Sequence, residues 1–380
     1  MIIKNGSVLN ENFEFKNIDI LTDGAIIKRM TENIEGDNVL DAEDLLVLPG
    51  FIDTHFHGAV GKDFFMSGNE AYEDISAFEA KNGTTAIMPT LSSTPYEKTL
   101  EAIRHYVETK NNAPGARYIG LHLEGPFLSS ARLGAMVGEN VRKPSIDELN
   151  EYVKAGEGSI KVITIAPEIE DAEETIAFAL ENGITVSMGH TDASYDQAEK
   201  AVLWGVTRST HTYNAMSPLN HREPNAVGCA LTNDNIDCEL ICDFFHIHPK
   251  VCKLTFDVKG SDRIIMITDS EVGAGLPDGE FVSAEGNKLI IKDRQTRLPD
   301  GTISGGSSCL IDGIKNMVSV GVRIEDAVKA ATINPARSVG LDNEIGSLKE
   351  GKFADIVICD AELNIKYVIV DGKIVYGGEM

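Results

Sequence analysis

The sequence is short of positive charge: 34 lysines and arginines stand against 59 aspartates and glutamates, a formal net charge of −25 at pH 7. So acidic a surface excludes broad binding to nucleic acid or anionic membranes, and an anionic substrate must meet a local cationic pocket. No run approaches the roughly 18 apolar residues of a membrane-spanning helix. The opening stretch MIIKNGSVLNENFEF lacks the apolar core of a secretory signal. The six cysteines (Cys229, Cys238, Cys242, Cys252, Cys309, Cys359) include no CxxC pair, which fits reduced thiols rather than a disulfide frame. A cytoplasmic protein is expected. Solenoid-type repeats and low-complexity segments are absent.

What is present is an ordinary globular composition over 380 residues, 42% hydrophobic and 24% charged, too apolar for disorder. One large domain with a small one is the natural division at this length. Eight strand-length apolar runs recur: LLVLPGFID, TTAIMPT, RYIGLHLEG, KVITIAP, GITVSMGH, VTRSTHTY, CELICDFFHI and RIIMITDS. Segments of helical periodicity lie between most of them, three ending at Gly83, Gly183 and Gly205, which suits a helix C-cap. Strands alternating with helices predict a (β/α)8 TIM barrel over residues 46–334. Residues 1–45 and 335–380 instead read as short strands with hairpin dipeptides at Asp23-Gly24 and Asp371-Gly372. Neither end can form a core alone, so the two are expected to pair into one small β-sandwich domain. A further hairpin is expected between Gly279 and Gly301.

Polar residues then fall at the C-terminal ends of the predicted strands: His55 and His57 on the first, Glu124 on the third, His190 on the fifth, His211 on the sixth, His246 on the seventh and Asp269 on the eighth. In a parallel barrel those ends share the rim on which active sites are built. A single histidine at a strand end is more often a hydrogen-bonded structural residue, and Asp269 beside Ser270 would pass for a turn former. The coincidence of all of them on one rim points to a divalent metal, one or two ions. Imidazole and carboxylate donors suit zinc, with iron or manganese as alternatives. Asp269 is the candidate proton shuttle.

With these residues in place the chain resembles, over essentially its whole length, the amidohydrolase superfamily. PGFIDTHFHG and NPARSVGL followed by GSLKEGKFADIVICD resemble the superfamily's two end signatures. LHLEGPF, MGHTDA, HTYNAMSPLNHREP and ITDS followed by GTISGG are similar to the N-acetylglucosamine-6-phosphate deacetylases within it. The resemblance implies Glu124, His190 and His211 as ligands of the principal metal, a second site at His55 and His57, and Asp269 as general acid/base at the metal. It implies substrate contacts from Ala135, Met136, Asn214, Ala215, Arg222, His246 and the Ile303-Ser304-Gly305 turn. It also implies a homodimer in which Arg222 reaches the sugar phosphate of the neighbouring subunit. Arg222 and His246 would then be the cationic pocket that the acidic composition calls for.

The sequence departs from the family where Met136 stands in place of an expected histidine, where Phe244 takes a position usually held by glycine, and where His221 precedes Arg222. These leave N-acetylgalactosamine-6-phosphate or another N-acyl compound as alternative substrates, and a non-catalytic sugar-phosphate-binding protein as the alternative outside enzymes. Cyclic-amide hydrolases carry a lysine after the fourth strand; TIAPEIE has none.

Overall fold

The computed structural model describes residues 1–65, 68–282 and 288–377. Eight parallel strands follow one another around a barrel: β1 (Phe51–Phe56), β2 (Thr84–Leu91), β3 (Leu121–Glu124), β4 (Ile160–Ile165), β5 (Thr185–Met188), β6 (Arg208–Ser209), β7 (Asp237–Ile241) and β8 (Ile264–Ile267). Each pairs with the next in parallel. The seam between β8 and β1 is closed just past the strand ends, where the Asp269 N–H donates to the His55 carbonyl (2.9 Å) and the His57 N–H donates to the Ser270 carbonyl (2.7 Å). Closure therefore runs through residues that the sequence marks as chemical.

Helices return the chain after each strand: α1 (Gly68–Lys81), α2 (Tyr96–Thr109), α3 (Ile146–Gly156), α4 (Ala172–Glu181), α5 (Tyr195–Trp204), α6 (Asn225–Thr232), α7 (Pro249–Lys259) and α8 (Leu310–Ser319). Local signals explain their ends. Ser145 caps α3 by accepting from the Glu148 N–H, and Ser194 with Gln197 forms a capping box on α5. Gly205 ends α5 in the left-handed conformation, and Gly83 and Gly183 adopt positive φ past α1 and α4.

Three strand readings need correction. LLVLPGFID is two strands: Leu46–Pro49 pairs with Ile356–Cys359 in a separate sheet, and only Phe51–Phe56 enters the barrel. Arg117–Tyr118 splits from β3 before Gly120, whose φ of +154° lets the chain turn. The expected hairpin after β8 is a four-stranded antiparallel sheet of Gly279–Val282, Lys288–Lys292, Gln295–Arg297 and Ile303–Gly306; residues 283–287 of it lie outside the described residues. Its last strand returns to the barrel, since the Gly306 N–H donates to the Asp269 carbonyl (2.6 Å) and the Glu271 N–H to that of Gly306 (2.9 Å).

The two chain ends meet in a six-stranded sheet that takes strands from both, facing a four-stranded sheet of N-terminal residues. Ile3, Val8, Ile20, Ile27, Val47, Ile356, Ile358 and Ile369 fill the core there. This is the β-sandwich. Asp371-Gly372 is a two-residue turn as expected, with Val370 paired to Lys373, whereas the first turn is shifted by one residue to Gly24-Ala25, since Asp23 pairs with Ile26. Gly378, at the end of the expected tail strand, lies outside the described residues.

The barrel interior is more polar than its apolar strands suggest. His122 Nε2, Thr164 Oγ1, Thr210 Oγ1 and Ser187 Oγ form a buried chain of hydrogen bonds of 2.8, 2.8 and 2.6 Å. Every member finds a partner, which burial demands.

The two hairpin turns touch. A Cβ on Gly372 would lie 1.9 Å from the Gly24 carbonyl oxygen, and Gly372 has φ +70°. Gly372→Ala is expected to destabilise by at least about 1–2 kcal/mol from the backbone conformation alone, with the contact adding to it. A lowered thermal unfolding midpoint with metal content unchanged is the result to look for.

Candidate metal centre

Glu124 ends β3 and is buried; His190 and His211 follow β5 and β6 by two residues each. All three side chains converge. His190 Nε2 lies 3.0 Å and His211 Nε2 2.9 Å from Glu124 Oε1, and the two imidazole nitrogens are 3.1 Å apart. His190, His211 and Asp269 have φ of +46°, +28° and +49°. Non-glycine residues in that region cost about 1–3 kcal/mol each and cluster at functional sites.

A second group adjoins the first. His57 Nε2 is 3.2 Å from both Glu124 Oε2 and Asp269 Oδ1, and His55 Nε2 is 3.4 Å from Asp269 Oδ1. His55, His57 and Asp269 form one potential ligand set, and Glu124, His190 and His211 another, with the ligand atoms of each set within 4.8 Å of one another.

Neighbours decide which ring nitrogen carries the proton. His190 Nδ1 faces the Arg132 carbonyl (3.0 Å), which only accepts, so Nδ1 donates and Nε2 is the nitrogen turned toward Glu124. His55 Nδ1 donates to Glu239 Oε2 (2.9 Å), leaving its buried Nε2 without a hydrogen-bond partner. Ring nitrogens and carboxylate oxygens thus crowd one space, an arrangement that a cation between them would satisfy. The donor set fits a divalent metal ion.

Electrostatics agree. Burial alone would push the His55 imidazole down, but Glu239, Asp269 and Glu124 outweigh it and raise its pKa to about 10. His57 is likewise raised well above the usual range against burial, by hydrogen bonds to Asp269 and Glu124. Burial opposes ionisation of Glu124, yet His55, His190 and His211 hold it well below the usual carboxylate range. Carboxylates that keep protons on these rings would also hold a cation, which competes for the same lone pairs.

The centre floors a cavity of about 290 Å³. Of the residues expected to contact substrate, Ala135, Met136, Asn214, Ala215, His246, Ile303, Ser304 and Gly305 all line it, together with His57, Glu124, His190, His211 and Asp269. A Cβ on Gly305, with φ +62°, would lie 2.8 Å from the Asp269 carbonyl oxygen, so glycine lets that turn approach the centre. His246 Nδ1 donates to Asp243 Oδ2 (2.8 Å), and this carboxylate raises the imidazole's pKa although burial opposes it. Two expected residues are not in the cavity wall. His55 lies behind it, and Arg222 lies on an exposed loop beside Ser194, Tyr195 and Pro224. The Arg222 guanidinium has no partner among the described residues, so the alternative pairing with Glu223 is not formed.

Several residues that support the site were not anticipated. Glu239 and Arg208 form a buried ion pair (2.6 Å) against His55. Arg132 binds Asp192 (2.7 Å), which also accepts from Ser217 Oγ (2.5 Å), joining the loops after β3, β5 and β6. Glu271 adds a carboxylate to the cavity wall. The available signal was charge inside apolar strands, Glu239 in CELIC and Arg208 in VTRST.

Comparison with known proteins gives consistent relatives. The model of the amidohydrolase family matches residues 46–375. The chain is 33% identical to the N-acetylglucosamine-6-phosphate deacetylase of Bacillus subtilis (strain 168), over 99% of this chain and 97% of that one. It is 32% identical to the N-acetylgalactosamine-6-phosphate deacetylase of Escherichia coli O157:H7, over 88% of each. A crystallised aspartate-to-alanine variant of the Mycobacterium smegmatis N-acetyl-D-glucosamine-6-phosphate deacetylase, in complex with N-acetyl-D-glucosamine-6-phosphate, superposes with a TM-score of 0.93 at 28% identity over 99% of both chains.

Replacing Glu124 by Gln removes the charge shared between the two ligand sets. Zinc affinity is expected to fall by more than the roughly 10–100-fold typical of a supporting residue. Elemental analysis after dialysis against a chelator checks this, and wild-type metal content in the variant would refute the assignment of Glu124.

Proposed function

The chain belongs to the amidohydrolase family, and from that premise we propose that it hydrolyses the acetamide of N-acetylglucosamine-6-phosphate to glucosamine-6-phosphate and acetate. The observation that carries this reading is the meeting of Glu124, His190 and His211 beside Asp269 in one cavity. Zinc is the ion that these nitrogen and oxygen donors suit best, at the Glu124 set first and at the His55 set second. A divalent ion held there would supply a water of lowered pKa, from ~15.7 to about 7, and polarise the carbonyl.

The chain's own residues do the rest. Burial opposes the charge on Asp269, but His55 and His57 keep its carboxyl below the usual range, so it is ionised at neutral pH and ready as a base. Asp269 takes the proton of the attacking water and delivers it to the departing nitrogen, because an unprotonated amide anion leaves poorly. Asn214, the Ala215 backbone and the Ile303-Ser304-Gly305 turn orient the sugar. His246, held by Asp243, meets the phosphate. Remote binding of this kind positions the amide for attack.

Arg222 completes the phosphate site from a second subunit in this reading. Its exposed, unpaired guanidinium supports that role, as do exposed apolar side chains at Leu203, at Leu219 three residues before Arg222, and at the i, i+4 pair Leu254 and Val258 on α7. A homodimer would cover them. Cytoplasmic residence fits six buried, unpaired thiols, and no helix among the described residues is long and apolar enough to cross a membrane.

A second reading, N-acetylgalactosamine-6-phosphate as substrate, is favoured by Met136, which lines the cavity where the resemblance implies a histidine and whose thioether donates no hydrogen bond. Phe244, at a position where the resemblance implies glycine, has a φ of +66° but does not line the cavity. Acetate release from a panel of N-acetyl sugars with and without the 6-phosphate separates the two.

Two variants test the roles. Asp269→Asn should abolish turnover with the metal of the Glu124 set retained; undiminished acetate release would remove Asp269 from the mechanism. Arg222→Met should raise KM for the phosphorylated sugar by roughly 10–100-fold, the worth of a charge-assisted hydrogen bond, with kcat little changed. Light scattering on both forms reports the dimer, and a monomeric wild type would end the cross-subunit role.

A further inference from the structure

Glu239 lies on β7, fully buried and outside the cavity wall. Its carboxylate receives three donors from three directions. Oε2 accepts from His55 Nδ1 (2.9 Å) and from the backbone N–H of His211 (3.0 Å), and Oε1 accepts from Arg208 Nε (2.6 Å). Arg208 is itself anchored on Thr54 Oγ1 (2.6 Å) and Ser338 Oγ (3.2 Å). One oxygen therefore touches a residue from each of the two candidate ligand sets.

We propose that Glu239 is a positioning residue that holds His55 in its Nδ1-protonated form and pins the His211 backbone, so that both ligand sets keep their lone pairs on the ion. This rests on the metal-dependent reading above. The hydrogen-bond count explains why a carboxylate is needed. Three N–H donors face two acceptor oxygens, and an amide in the same place offers one oxygen and one NH₂ group. The guanidinium and the backbone N–H cannot change from donor to acceptor. A neutral imidazole can: with the amide NH₂ against it, His55 moves its proton to Nε2 and loses the lone pair aimed at the centre.

Glu239→Gln tests this through metal binding rather than turnover. Zinc titrations of the metal-free wild type and variant against a chromophoric chelator should show the variant losing, or binding about 10–100-fold more weakly, the ion of the His55 set. The Glu124 set should be affected less. A merely structural role would lower the unfolding midpoint of the metal-free variant and leave the zinc isotherm unchanged, and superimposable isotherms overturn the proposal. Should the variant not fold, a neutron structure of the zinc-loaded wild type decides: a deuteron on His55 Nδ1 with Nε2 bare is expected, and a deuteron on Nε2 overturns the assignment. Acetate release by the wild type stands apart from both results. Its failure would count against the deacetylase reading alone.

Discussion

The structure depends on one electrostatic constraint: the ring nitrogens of several imidazoles and the oxygens of two carboxylates are held in one buried space. His190 and His211 each bring Nε2 within 3.0 Å of the same Glu124 oxygen, and His57 approaches both Glu124 and Asp269. Such a group is costly to assemble unless a positive charge occupies it, because buried charges must be paired. Net negative charge is spread over the whole chain, and at the centre it would serve to retain a cation.

The fold supplies that concentration of charge. Parallel strands put all their C-terminal ends on one rim, so residues from His55 to Asp269 converge, and the seam of the barrel is closed by backbone hydrogen bonds of His55, His57 and Asp269 themselves. Below the rim, polar groups orient the candidate ligands: Glu239 with Arg208 beneath His55, and the Arg132 carbonyl beside His190. Above it, the sheet inserted after β8 carries the Ile303-Ser304-Gly305 turn back to Asp269 through the Gly306 N–H. Strained φ values at His190, His211 and Asp269 persist because these contacts over-determine them.

Most of the barrel was legible because its signals are local. Strand-length apolar runs, intervening helical periodicity and capping residues such as Ser194 and Gly205 each act within a few positions. The side chains that converge could be named because a parallel barrel turns position in a strand into position on a rim. Reading failed where long-range pairing decided the outcome. Pro49-Gly50 is a local mark of a break in LLVLPGFID, but that the first part joins another sheet follows only from Leu46–Pro49 finding Ile356–Cys359, some 300 residues away, as its partner. Glu239 and Arg208 read as isolated charges, since their meaning lies in the 2.6 Å contact between neighbouring strands.

By itself, then, the sequence determined the alternation of strand and helix, the residue types able to bind a metal, and the strand ends on which they stand. Only the tertiary structure decided that these side chains share one cavity, which nitrogen of each imidazole faces it, and that Arg222 stays outside it. The physical reason is range. Propensity, periodicity and capping are settled within a few residues, whereas tautomer, charge state and cavity shape are set by atoms brought within about 3 Å across the fold.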